Sequence, residues 1–230
     1  MPVDLGRQDG RGMDVAMLCL AAGCGWLAGY GMRRMLRWLL PTVRVSGPWC
    51  EAITATLWVI AVARAFGDWL PWWWLPVPLA LGWCGVALAV ADLRALRLPD
   101  VLTVAAYPVF AALIAVAAYC GDVDGLALRA LLGTVVFGGA HLLVRLAVPS
   151  GLGAGDVKLA GSLGAVLGAV GWPAIAVAAV LAAVITVLLA SAARLARRAA
   201  WRGGIPHGPG LLAAAWLVAA FPGATLVGAS

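Results

Sequence analysis

Residues 172–193, WPAIAVAAVLAAVITVLLASAA, decide the fold, because they run from end to end without a charge. At about 1.5 Å of rise per helical residue the run reaches about 33 Å, enough to cross a hydrocarbon core of about 30 Å. Similar apolar runs occupy residues 14–32, 51–67, 73–92, 101–120, 126–147 and 209–227, with a shorter one at 157–169. Over the whole chain 64% of residues are hydrophobic, 11% are charged and the mean hydropathy is +0.99. A soluble domain averages about 45–50% and about 25%. No soluble fold of this size hides so much apolar surface, so lipid is the solvent for most of the chain. The expectation is an all-α polytopic membrane protein of about eight transmembrane helices. The count falls to seven if the sixth segment runs on past Gly171-Trp172-Pro173 into the next; otherwise the sixth, too short for the core, is a partial helix.

Basic residues set the orientation. Arg33, Arg34, Arg37, Arg44, Arg94, Arg97, Arg145, Lys158, Arg194, Arg197, Arg198 and Arg202 fall on one side of the alternating spans, and only Arg7, Arg11, Arg64 and Arg129 on the other. The positive-inside rule makes the first side cytoplasmic and puts both termini outside. Trp69, Trp72, Trp73 and Trp74 then lie in an outer connection, at headgroup level where indoles belong. This placement accounts for the net charge of +6 without nucleic acid. The opening MPVDLGRQDGRGMDV lacks the basic leader and small-residue cleavage site of a signal peptide, so the first apolar run reads as a retained helix. Cys19, Cys24, Cys50, Cys84 and Cys120 form no CxxC pair, which argues against a zinc site or a disulfide framework.

The same topology sorts the ten acids. Asp4, Asp9, Asp14, Asp68, Asp122 and Asp124 fall at the outer surface. Glu51, Asp92, Asp100 and Asp156 border spans on the inner side, where a carboxylate near hydrocarbon is costly unless it faces a wet cavity or a partner. Asp100, after Pro99 and ahead of the fourth helix, fits an N-cap. Glu51 suits the positive end of the second helix. Asp92 sits at the negative end of its helix, where capping does not explain it, though a salt bridge to Arg94 or Arg97 would. Asp156 follows Gly151-Leu152-Gly153-Ala154-Gly155, a flexible approach that lets the backbone lie close to another helix; as the opening of the sixth helix it also suits an N-terminal anion. Composition and topology leave both structural and chemical roles open for this pair.

The stretch Ala91-Asp92-Leu93-Arg94-Ala95-Leu96-Arg97-Leu98-Pro99-Asp100-Val101-Leu102-Thr103 resembles the first signature of bacterial type IV prepilin peptidases: an Asp, a basic loop, then Leu-Pro-Asp and a Thr. Gly153-Ala154-Gly155-Asp156-Val157-Lys158-Leu159 matches their second signature, GxGDxK. The 64 residues from Asp92 to Asp156, with one excursion to the outer side, are also similar to the family's spacing. Ile205-Pro206-His207-Gly208-Pro209 resembles the family's Pro-Phe-Gly-Pro segment, with His207 in place of Phe. Pro48-Trp49-Cys50-Glu51-Ala52-Ile53-Thr54-Ala55 is similar to its Val-Glu-Leu-Leu-Thr-Ala. A lone GxGD is a weak signal in a chain with 29 glycines; three ordered motifs on one side of the membrane are a strong one.

The resemblance implies an aspartyl endopeptidase with Asp92 and Asp156 as the catalytic pair and Gly153, Gly155, Lys158, Pro99 and Asp100 as motif-supporting residues. No metal and no cofactor are implied. The implied partners are the lipid bilayer and a prepilin or pseudopilin with a short basic leader, a Gly before the cut and an apolar helix after it. The implied location is the inner (cytoplasmic) membrane, with the site near the cytoplasmic face. Residues 1–50 form an N-terminal helix with a degenerate loop, and residues 51–230 the peptidase domain. Larger family members carry two CxxC pairs and a Gly-Ser-Phe-Leu-Asn segment linked to N-methylation of the new pilin terminus. Here Gly29-Tyr30-Gly31-Met32-Arg33-Arg34 is a degenerate echo and the pairs are missing, so peptidase activity is implied and methyltransferase activity is not.

Two other classes stay open. A presenilin-type protease shares GxGD but carries Tyr-Asp and Pro-Ala-Leu motifs, unlike Ala91-Asp92 and Ile205-Pro206-His207. A transporter or assembly subunit would use the aspartates as ion or structural sites, with His141 as a proton relay; the plainer reading of His141 is a buried histidine with a backbone partner.

Overall fold

The computed structural model describes residues 5–41, 45, 47–96, 98–149, 152–195, 206–223 and 226, with side chains from residue 14 onward. Among these, eight α-helices follow in order: α1 (Leu5–Leu39), α2 (Trp49–Phe66), α3 (Pro76–Ala95), α4 (Asp100–Gly121), α5 (Leu126–Ala147), α6 (Ala154–Val170), α7 (Trp172–Leu195) and α8 (Gly208–Ala220). Six of them, α1 to α5 and α7, are long and apolar enough to cross a membrane. The protein is a polytopic all-α membrane protein.

The helix ends differ from the sequence expectation where hydropathy and helix formation part company. α1 outruns the expected 14–32 at both ends, because the charges that end an apolar run do not end a helix. α8 stops at Ala220 instead of 227, where Phe221-Pro222-Gly223 intervenes and Gly223 takes φ +63°; proline cannot continue the hydrogen-bond ladder. The sixth and seventh segments do not merge. Gly171 between them adopts φ 150°, ψ 166°, a region open essentially to glycine alone.

α6 is the centre of the bundle. Its 17 residues reach only about 25 Å, and Leu159, Leu163, Val166 and Leu167 are fully buried among α4, α5, α7 and α8. α1 lies along α2, closing a smaller cluster in which Met32 and Leu36 meet Cys50, Val86 and Ala87.

One sequence reading needs correction and another gains a partner. Trp74 is no headgroup anchor. It is fully buried, and its indole N–H donates to the Ala219 carbonyl at 3.0 Å, while Arg64 Nε donates to the Ala220 carbonyl at 2.7 Å. These donors satisfy carbonyls that the C-terminus of α8 would otherwise leave unpaired. Trp69 and Trp72 remain exposed as expected. Glu51 stands in the first turn of α2 as expected; it is also only 1% exposed and pairs with Arg33 of α1 at 2.8 Å. Burial of that kind demands a cation, because an unpaired charge away from water is prohibitive.

Candidate active site

α3 ends at Leu96, which turns left-handed at φ 49°. The chain then passes through Leu98 and Pro99 into α4. This short link hangs beside the start of α6, and a Cβ on Gly155 would stand 2.9 Å from Leu98 Cβ. Only glycine allows the approach, and the approach brings the two aspartate segments together. Asp92, Pro99, Asp100, Gly153, Gly155 and Asp156 all line one cleft of about 380 Å³, with Leu40 at the end of α1 on its rim.

Each aspartate is held by a backbone N–H donated by a glycine. Asp92, at 6% exposure, accepts the Gly208 N–H through Oδ2 at 3.0 Å. Neither an ion pair to Arg94 nor one to any other described residue involves Asp92; Arg97 lies outside the described residues. Gly208 opens α8 and is pressed so close that a Cβ there would fall 2.8 Å from Asp92 Oδ2. Asp156 stands in the first turn of α6 and reaches back through Oδ2 to the Gly153 N–H at 3.2 Å. That is half of a capping box, for glycine in the cap position has no side chain to return the bond. The anion reading of Asp156 therefore holds for one oxygen. The other, Oδ1, is buried without a hydrogen-bond partner. Arg145 of α5 steadies the glycine-rich approach by donating to the Leu152 carbonyl at 2.7 Å. The two carboxylates are near enough to interact electrostatically.

Asp100 is not the cap of α4. Pro99 holds that position, and Asp100 is the first helical residue, its carboxylate 2.7 Å from Lys158 Nζ. Lys158, the one motif residue outside the cleft lining, thus ties the second signature to the first. Tyr107 of α4 adds a second tie, its hydroxyl donating to the Lys158 carbonyl at 2.8 Å. The pair is solvent-facing, with side chains 43% and 69% exposed, and exposed pairs contribute only about 0–1 kcal/mol. Asp100→Asn is therefore expected to lower the thermal stability of the detergent-solubilised protein by less than about 1 kcal/mol, since the amide oxygen still accepts from Lys158. A collapse of the fold in that variant would give the pair a larger part than its exposure allows.

Gly208 and Thr186 were not singled out from sequence. The third motif around His207 was, but nothing in the residues themselves said that the next residue's N–H would hold Asp92. His141 has the backbone partner expected of it, its Nδ1 lying 2.8 Å from the Phe137 carbonyl.

The sequence profile of the type IV leader peptidase family matches residues 79–191. No curated protein and no solved structure matches the chain. The matched segment runs from α3 into α7 and encloses Asp92, Pro99, Asp100, Gly153, Gly155, Asp156 and Lys158, ending before His207 and Gly208. Through residues 79–191, which hold both aspartates, the chain belongs to the type IV leader peptidase family.

Proposed function

We propose that the chain is an aspartyl endopeptidase that removes the basic leader from prepilin-like proteins at the cytoplasmic face of the inner membrane. The observation that carries this reading is the convergence of Asp92 and Asp156 in one cleft, each spending one oxygen on a glycine N–H and keeping the other. Two neighbouring carboxylates, one buried and one half-buried, do not both ionise cheaply, so one keeps a proton. The charged member draws a proton from water and the protonated member polarises the scissile carbonyl. Both the proton acceptor and the donor come from the pair itself, and the pair titrates as a unit. The side of the bundle that carries Arg94, Arg145 and Lys158 is the cytoplasmic side by the positive-inside rule. A substrate whose apolar helix enters the bilayer beside the cleft presents its leader junction at that level.

The test is co-expression with a candidate prepilin, followed by mass analysis of the new N-terminus. The expected product lacks its leader and carries a free, unmethylated amine. Of the five cysteines, Cys50 alone belongs to the cytoplasmic side on this topology, and one thiolate does not make a four-ligand zinc site. Intact prepilin in every pairing would sink the peptidase reading. A mass increase of one methyl group that depends on this chain would instead show that the segment from Gly29 to Arg37 retains the second activity.

A further inference from the structure

Beside Asp156 three polar side chains from three other parts of the chain stand in a row. Thr186 of α7 and His207, just ahead of α8, are joined by an Oγ1 to Nδ1 distance of 3.0 Å. The His207 and His141 rings lie with centroids 6.2 Å apart, and His141 is anchored in α5 by its Nδ1 against the Phe137 carbonyl. Since a carbonyl only accepts, that nitrogen carries the His141 proton. A threonine hydroxyl donates as well as accepts, and the tautomer in which it donates to His207 Nδ1 is the one that puts the His207 proton on Nε2. Both imidazoles act electrostatically on Asp156, whose Oδ1 is buried without a partner; leaving such an oxygen without a donor is costly. His207 is also the residue before Gly208, whose N–H holds Asp92. One loop therefore addresses both aspartates.

Helix ends divide the pair further. Asp156 lies in the first turn of α6, where the helix dipole favours negative charge, and Asp92 in the last turn of α3, where the dipole opposes it. We propose that His207 is a positioning residue for the cleavage: backed by Thr186, it turns Nε2–H toward Asp156 and keeps that carboxylate the charged, water-activating member, leaving the shared proton on Asp92. The proposal rests on the aspartyl reading above and assigns the two roles within it. In the first step the water oxygen bonds to the scissile carbon. Asp156 takes a water proton, and the carbonyl π pair moves to oxygen, which receives the proton of Asp92. On collapse Asp156 gives its proton to the leaving nitrogen, and Asp92 recovers its own from the diol hydroxyl.

The groups that face His207 are Asp156 from α6, His141 from α5 and Thr186 from α7, with Asp92 of α3 beyond its neighbour Gly208. Burial pushes the His207 imidazole below its ordinary value; Asp156 pulls the other way and His141 adds to the fall. The ring is thus a neutral donor at neutral pH.

The experiment follows leader cleavage against pH by the full chain in proteoliposomes, with a prepilin carrying a basic leader as substrate. Wild type is compared with His207→Phe, which removes the donor and keeps a ring, and His207→Gln, which keeps an N–H. His207→Phe is expected to lower kcat by about tenfold, with KM within about twofold, and to move the acid limb of the profile to higher pH, because the donor that favours the charged carboxylate is gone. His207→Gln is expected to recover most of kcat and the original limb. An unmoved limb with full cleavage in His207→Phe overturns the assignment, and so does a Gln variant as impaired as the Phe variant. Should His207→Phe fail to accumulate, Thr186→Val removes the buttress and leaves the ring; an unmoved limb there overturns the assignment equally. The aspartyl reading fails separately: cleavage by Asp92→Asn or Asp156→Asn sinks it, whereas inert Asn variants beside an unmoved His207→Phe profile sink the His207 assignment alone.

Discussion

Asp156→Asn and Asp92→Asn are each expected to cut leader cleavage by about 10³-fold or more while the protein still accumulates in the membrane. The chemical half of this expectation follows from the pair acting as a unit. An amide neither takes a proton from water nor gives one to a carbonyl, so losing one member disables both steps. The structural half follows from what each carboxylate holds. Asp92 accepts the Gly208 N–H and Asp156 the Gly153 N–H, and an asparagine oxygen accepts either bond. An amide also never carries the charge that burial penalises. Both variants are therefore expected to melt no lower than wild type in detergent. The measurement is cleavage of a prepilin in proteoliposomes, normalised to folded enzyme. Substantial processing by either variant would remove that residue from the chemistry. Loss of the folded protein would mean that the carboxylate charge, rather than its oxygen, holds the cleft together.

A second large effect is expected far from the cleft, at Gly164. α5 and α6 touch backbone to backbone. A Cβ on Gly164 would collide with the Gly133 carbonyl oxygen and fall 2.9 Å from Phe137 Cβ; one on Gly168 would fall 2.8 Å from Gly133 Cα; and one on Gly138 would fall 2.9 Å from Gly161 Cα. In lipid, helices gain little from hiding apolar surface and associate through close van der Waals contact, which small residues permit. Gly164→Val must push α5 and α6 apart, and since the obstacle is backbone, no rotamer change relieves it. The expected loss is about 3 kcal/mol or more, at the upper end of overpacking costs, seen as failure to accumulate or a much lower melting temperature. Asp156 rides on α6, so cleavage should fall with it. Gly139→Val is the control. It lies on α5, the partner helix in the same packed pair, but nothing stands within 4 Å of its added Cβ, and it should behave as wild type. Equal damage at both positions would show that the α5–α6 pair tolerates no bulk anywhere, and the close contact would lose its special standing.

The number of helices and the membrane as their solvent were legible in the residues alone. Crossing a hydrocarbon core is a demand on length and hydropathy, and both are local properties of runs such as 172–193. The acids that border spans were legible for the same reason, since a charge near hydrocarbon stands out against the run it interrupts. Partner choice was not legible. Asp100 looked like a cap and pairs with Lys158, 58 residues away. Glu51 looked like a dipole partner and meets Arg33 on another helix. Trp74 looked interfacial and seals the end of α8. A cap, a dipole and a headgroup layer are each satisfied within a few residues, whereas these bonds depend on which helices lie side by side. The same distinction governs α6, whose composition differs little from its neighbours' yet whose short length suits it to the middle of the bundle. The order Asp92, Asp156, His207 was written in the chain. Their meeting at one end of α6 was decided only by tertiary packing, because glycines at 133, 155, 164, 168 and 208 let backbones approach closely enough to bring residues more than a hundred positions apart into one cleft.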